Sequence, residues 1–435
     1  MRHPLRTVLV VSVSALALLA AGAVFGLREK PAPAPAAATA RVHTDRLADG
    51  IARAQDRLRK LPRDHETWAA LGLAYVEQAR ITADPGLYPK AEGALRRSLA
   101  VRGKDNPAAL AGLGALANAR HDFAAARRFA TDALRGNPYD ASAYGVLADA
   151  RTQLGDAAGA TAAVQRMLDL RPGLAAYARA SYDLEQRGRL TEAADLMRRA
   201  LSAAVDPADI AFCRAQLGDL ALFAGDLPGA AAEYAAGLAA DPGYQPLLRG
   251  RARVAAATGD LASAVADAAS VAARTPSPDT LMEYAELLRL AGRRAEADQQ
   301  LALARAAHRI FLANGGRDDL TGALLALAAG DAPAAVRAAR AEWRRRPFAE
   351  VADVLGRALH AAGRDAEALP YARKAVELGP RNAAYAFHLA MVSLSTGDLA
   401  HARTELRRVR DLNPHFSPAD GPTAARALSA LEAQP

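Results

Sequence analysis

Nine histidines and one cysteine are the residues of this 435-residue chain best suited to hold a metal or a covalent intermediate. Their spacing argues against both roles. No His-Glu-x-x-His or His-x₃-His pattern sets two imidazoles on one helix face. The single thiol, Cys213, excludes an internal disulfide, a thiolate metal site and a lipobox, and reads as a small core residue. Gly112-Leu-Gly-Ala-Leu-Ala117 matches a loose dinucleotide fingerprint, but that turn needs a strand before it and these residues lie inside a helical pattern. There is no phosphate loop, nucleophile elbow, Asp-type metal loop or Asn-x-Ser/Thr acceptor. The sequence predicts no catalytic residue, no cofactor and no metal, so the chain reads as non-enzymatic.

Charge offers as little. The net charge is +8, and the residues flanking the first apolar segment, Arg2, Arg6, Glu29, Arg28 and Lys30, carry +3 of it. The remainder is spread too thinly for nucleic acid. RAARAEWRRRPF, Arg337 to Phe348, reads as the solvated outer face of a helix. Hydrophobic residues make up 51% and aromatics only 5%, so Ala, Leu and Val must build the core. That composition favours helices over sheet.

Residues 1–30 stand apart. Thr7 to Leu27 is 21 residues without a charge, near the roughly 20 needed to cross a bilayer and longer than the roughly 7–15 of a cleaved signal core. The expectation is a signal anchor holding a single-pass protein in the cell membrane with its bulk outside the cytoplasm. The alternative is secretion after cleavage near Ala21-Gly22-Ala23. Residues 31–43, rich in Pro and Ala, read as a linker, and residues 44–64 as an N-terminal helix.

From there the chain repeats itself. Glycines recur at Gly155, Gly188, Gly225, Gly259, Gly292, Gly330, Gly363 and Gly397, at spacings of 33 to 38 residues. Five residues after each stands an alanine, from Ala160 to Ala402, and seventeen after most stands a proline, as at Pro172, Pro242, Pro276, Pro347, Pro380 and Pro414. Each column has a cause. Glycine accepts the left-handed conformation that ends a helix. Alanine lets two helices approach closely, and proline stops the second helix and starts the next unit. Asp or Arg always follows the glycine.

The period and the residues Trp68, Leu71, Gly72, Tyr75, Ala91 and Leu95, or Tyr144, Leu147, Ala148, Gly155, Ala160 and Pro172, resemble the tetratricopeptide repeat (TPR). Leu217, Gly218, Gly225, Ala230, Tyr234 and Pro242 fit likewise. Asn106 to Pro138 fits with His121 in place of the turn glycine. The resemblance implies an all-α, right-handed solenoid of about ten helix-turn-helix repeats: repeats 1–7 over 65–311, repeats 8–10 over 312–416, and a capping helix over 417–435. The junction RIFLANGGRDDL, Arg309 to Leu320, is lengthened, which predicts a local change of superhelical pitch. NPHFSPADGP and GRDDLTGALLALAAGD also resemble a group of actinobacterial membrane-anchored repeat proteins, a likeness that implies location and architecture but no chemistry.

Such a solenoid lines a concave groove with its first helices, and the resemblance implies a protein or peptide partner there, as an extended segment or helix. In this register the groove candidates are Asp149, Tyr182, Asp219, Arg249, Arg253, Glu286, Arg357, His360 and Met391. The Lys/Asn/Arg clamp with which some family members grip acidic C-termini is missing, since Ala69, Leu73, Ala111, Ala115, Gly145 and Asp149 stand in its places. Arg249 and Arg253, one turn apart, suit an acidic partner; the alternative is that they solvate an open face or pair with Glu286. A second function class, an accessory part of an envelope or glycan-related enzyme complex, is disfavoured because no stretch of chain is left for a catalytic domain.

Overall fold

The computed structural model describes residues 37–433 except Lys104, with side chains from Leu47 onward. Helix α1 (Ala37–Lys60) leads into α2 (His65–Thr82), α3 (Tyr88–Arg102), α4 (Pro107–Ala119), α5 (Phe123–Gly136), α6 (Ala141–Gln153), α7 (Ala157–Leu170), α8 (Leu174–Gln186), α9 (Leu190–Ala203), α10 (Pro207–Phe223) and α11 (Leu227–Ala240). The series continues with α12 (Gln245–Ala257), α13 (Leu261–Arg274), α14 (Pro278–Leu290), α15 (Arg294–Ala313), α16 (Asp319–Ala328), α17 (Ala332–Arg345), α18 (Ala349–Ala361), α19 (Asp365–Ala375), α20 (Ala383–Ser395), α21 (Leu399–Leu412) and α22 (Gly421–Glu432). From α2 to α21 consecutive helices pair, giving ten hairpins in tandem, and no strand occurs among the described residues. Helix α1 begins at Ala37, inside the stretch expected to be linker, because alanine sustains a helix once the last proline, Pro35, is passed. No helix among the described residues is long and apolar enough to cross a membrane, and the expected span, residues 7–27, lies outside them.

The repeated columns take their expected geometry. The turn glycines have positive φ, and His121 adopts φ 59° in their place. The alanines five residues later are buried to 1% exposure or less. The residue after each glycine caps the second helix in one of two ways. Asp122, Asp156, Asp226, Asp260, Asp331 and Asp398 accept a hydrogen bond from the backbone N–H three residues on. Where arginine stands instead, a glutamate in the first turn pairs with it: Arg189 with Glu192 at 3.0 Å, Arg293 with Glu296 at 2.6 Å and Arg364 with Glu367 at 2.7 Å. The carboxylate faces the positive end of the helix in both schemes.

The solenoid winds until it meets itself. Gln153 accepts a hydrogen bond from Arg346, 193 residues on, and Asn413 donates at 2.8 Å to the carbonyl of Leu222, 191 residues back. The Arg317 N–H donates at 2.9 Å to the carbonyl of Arg120. Turns inside the early repeats thus rest on junctions between late ones, one superhelical turn, or coil, of roughly five and a half repeats further along. The second coil thus lies against the edge of the first along four successive repeats. The first contact falls at the lengthened junction. Without a proline to stop it, α15 runs on for 20 residues and carries Phe311 edge-on to Tyr88, 6.4 Å between ring centres.

The turn glycines fall into two sets. A Cβ at Gly155 lies 2.5 Å from the Pro347 oxygen and one at Gly188 lies 2.4 Å from the Gly379 oxygen, whereas Gly259, Gly292, Gly330, Gly363 and Gly397 have nothing within 4 Å. Asparagine tolerates the left-handed region, so Gly363→Asn should cost about 1 kcal/mol or less. Gly188→Asn should cost a further ~1–3 kcal/mol, because the opposing backbone must move. Urea unfolding midpoints of the two variants check this, and equal midpoints contradict the coil contact.

Candidate binding face

The first helix of each hairpin turns one side inward, and these helices carry the ionisable groups. Asp149 on α6 is held by Arg179 on α8 through two hydrogen bonds of 2.9 and 2.8 Å. Asp219 on α10 accepts a 2.8 Å hydrogen bond from the Tyr234 hydroxyl. The Tyr234 ring is fully buried in a slot with Gly218 on one side and Gly250 on the other, where a Cβ at either position lies 2.3 Å from the ring. That slot explains two helical glycines that only cost helix stability otherwise.

Arg249 and Arg253 do not point at an open groove, and their partner is not Glu286. Both bind Glu283 on α14, Arg253 at 2.6 Å, and Arg253 also lies 3.9 Å from Asp219. Burial raises the Glu283 carboxyl, but the two guanidiniums outweigh it and hold the group at about 2. Glu286, three residues on, has no such clamp. Burial pushes its carboxyl well above the usual range, reinforced by Asp420 and Glu283 and opposed by Arg357 and Arg253. Asp420 precedes α22, so Glu286 senses the far end of the array across the inner space.

Arg357 on α18 is buried and lies 3.9 Å from Asp353, whose other oxygen pairs with His388 at 2.7 Å. His360 binds Asp365 at the start of the second helix of its own repeat. Met391 packs with Phe387 and the apolar cluster of the last repeat, and Tyr182 is half-buried on α8. The structure thus gathers Asp219, Arg249, Arg253 and Glu286 around Glu283, sets Arg357 between Asp353 and Glu286, and leaves Asp149 and His360 in separate pairs. Sequence reasoning missed Glu283 and Arg179. The signal was present, since each ion pair joins residues about one period apart: 34 for Arg249 and Glu283, 30 for Arg253 and Glu283, and 30 for Asp149 and Arg179.

A second missed set has no ion pair. Glu185 on α8 is pushed up to about 8 by burial and by Asp219. Burial likewise raises Glu350 to about 7 and Asp279 to about 6, in each case against an arginine that pulls the other way. All three are half-buried. With the arginines committed elsewhere, the inner face carries a surplus of carboxyl groups held together by the fold.

The helix pairs, the period and the glycine, alanine and proline columns define the architecture of a tetratricopeptide-repeat array. No protein-family model matches the sequence, and no curated protein matches it. Among solved structures, the chain is similar to a tetratricopeptide repeat protein from Parabacteroides merdae at 16% identity, over 60% of this chain and 98% of that one, with a TM-score of 0.37. It is similar to PilW, a type IV pilus biogenesis factor, at 20% identity over 47% and 94% with a TM-score of 0.39. It is also similar to human IFIT1, solved as a dimer with m7Gppp-AAAA, at 16% over 78% and 80% with a TM-score of 0.48. At these scores the likenesses carry no argument about what this chain binds.

The raised carboxyls set a pH dependence. In the unfolded chain Glu185 titrates near 4.5, and in the fold near 8, so the folded state holds a proton that the unfolded state has released. Its contribution is full below pH 4.5 and is lost as pH rises to about 8. Glu350 and Asp279 act the same way over narrower windows ending near 7 and 6. The melting temperature should therefore fall between about pH 5 and pH 8, and Glu185→Gln should flatten the fall, as read by scanning calorimetry. An unchanged profile in that variant shows that Glu185 is solvated like a surface residue.

Proposed function

We propose that this protein is a non-catalytic interaction scaffold that binds an extended, basic polypeptide segment along the inner face of its repeats. The observation that carries this reading is a set of carboxyl groups on that face with no cation among the described residues paired to them. Arg179, Arg249 and Arg253 are already bound to Asp149 and Glu283, while Glu185, Asp279, Glu286 and Glu350 face the same space with raised affinity for protons. Burial is the main cause that raises them, and a lysine or arginine brought by a partner offsets it by favouring their ionised form. An apolar contact is offered by the half-buried Met391 at the edge of the last-repeat cluster. An extended segment suits the closed coils better than a helix, which needs a wider trough. The acidic partner suggested by Arg249 and Arg253 is disfavoured, because Glu283 already occupies both.

The uncharged stretch 7–27 supports tethering to the cell membrane, with the repeats outside the cytoplasm, and secretion after cleavage is the alternative. Full-length protein purified from its native membrane should bring down a protein that is lost when Glu286→Lys and Glu350→Lys are combined. Recovery by the unaltered protein should weaken as salt is raised. Retention of the same protein by the double variant overturns inner-face binding, and recovery of the chain in the soluble fraction overturns the tether.

A further inference from the structure

Four rungs join the coils. At the first, the Arg317 N–H bonds the Arg120 carbonyl at 2.9 Å, the Arg317 side chain pairs with Asp122 at 3.2 Å, and His121 stands 3.9 Å from Asp318 with its ring 5.1 Å from that of Phe311. At the second, Gly155 lies under Pro347, and Arg346 reaches Gln153 and covers the Phe123 ring at 5.4 Å. At the third, Gly188 meets Gly379 and Arg381. At the fourth, Gly225 meets Leu412 and Asn413, and Asn413 donates to Leu222.

These rungs differ in kind from the contacts within a coil. Every buried apolar cluster is built from neighbouring repeats, with one exception: Phe311 joins the cluster of residues 79–119. Elsewhere the coils meet through backbone carbonyls, glycines and hydrogen-bonded side chains. At the first rung the Arg120 Nε and His121 Nδ1 atoms are shut from water with no hydrogen-bond partner, and that desolvation is reversed when the rung parts. Interfaces of this kind open at a free energy below that of the packed elements they join.

We propose that the row of rungs is a latch that controls access to the inner face. Closed, it stacks the coils edge to edge and leaves the inner carboxyls reachable only by slender groups; parted, it opens the side of the solenoid to a bulkier partner. The proposal adds regulation to the binding face argued above, but its test needs no partner. Failure of one therefore leaves the other standing.

The test uses the full chain with Cys213→Ala, which removes the one native thiol, and a new cysteine at Glu286→Cys on the inner face or Gln299→Cys on the exposed outer face of α15. Removing Glu286 relieves a half-buried, raised carboxyl, so the fold should tolerate it. N-ethylmaleimide should modify both positions, whereas a maleimide carrying a long polyethylene glycol should modify Glu286→Cys about tenfold more slowly than Gln299→Cys. Adding Arg317→Glu, which sets a like charge against Asp122, together with Asn413→Ala should erase most of that difference while helicity by circular dichroism is kept. Equal rates at the two positions in the latched chain, or protection that survives the added substitutions, overturn the latch. Hydrogen exchange of the unaltered protein decides the case without any variant: the Arg317 amide should exchange faster than helix amides such as that of Ala339. Exchange as slow as theirs means that the rung opens only with global unfolding.

Discussion

A two-helix hairpin of this sequence has an apolar face on each side and only enough chain to cover one, so the structure rests on the close approach permitted by one small side chain. The alanine five residues past each turn is that side chain, and it is buried from Ala160 through Ala402. At that spacing Leu, Val and Met of one repeat fill the gaps of the next, and a core can be built with few aromatics. The two capping schemes serve the same end. Asp after glycine, or Arg with a glutamate three residues on, fixes where the second helix starts and so keeps the alanine opposite its partner.

Much of the architecture was legible in the sequence, because it is written in columns. The glycine, alanine and proline periods name backbone requirements that recur whatever the partner residues are. What could not be read are the features that depend on the curvature accumulated over many repeats. Gly155 and Gly363 look alike in the sequence, yet only Gly155 lies under another coil. His121 looked like a lapse in the glycine column, but it lies between Phe123 and Phe311 where the coils first meet. The lengthened junction after Gly292 read as a change of pitch, and without a proline there α15 is prolonged so that Phe311 reaches Tyr88.

The candidate face was legible by position and not by partnership. The register that placed Asp219, Arg249, Arg253 and Glu286 on first helices brought together residues that do share a space, but it did not say which pairs form. Arg249 and Arg253 read as available until Glu283 was found between them. The general reason is that a turn of helix separates Glu283 from Glu286, and this small difference in direction decides which carboxylate is neutralised and which is left to raise its affinity for protons. Charges of opposite sign one period apart were the available clue, and they mark neighbouring first helices wherever an array of this kind is met.

Contact between coils also removes a freedom that open solenoids keep. An array whose repeats touch only their neighbours can gain or lose a hairpin in the middle and remain well packed. Here Gly155 must arrive under Pro347, Gly188 under Gly379 and Gly225 under Asn413, and one extra hairpin between them displaces every meeting at once. Duplication or loss of a unit within the span is then a change of shape for the entire molecule, and the number of hairpins is fixed by geometry in the way that the number of teeth is fixed in meshed gears.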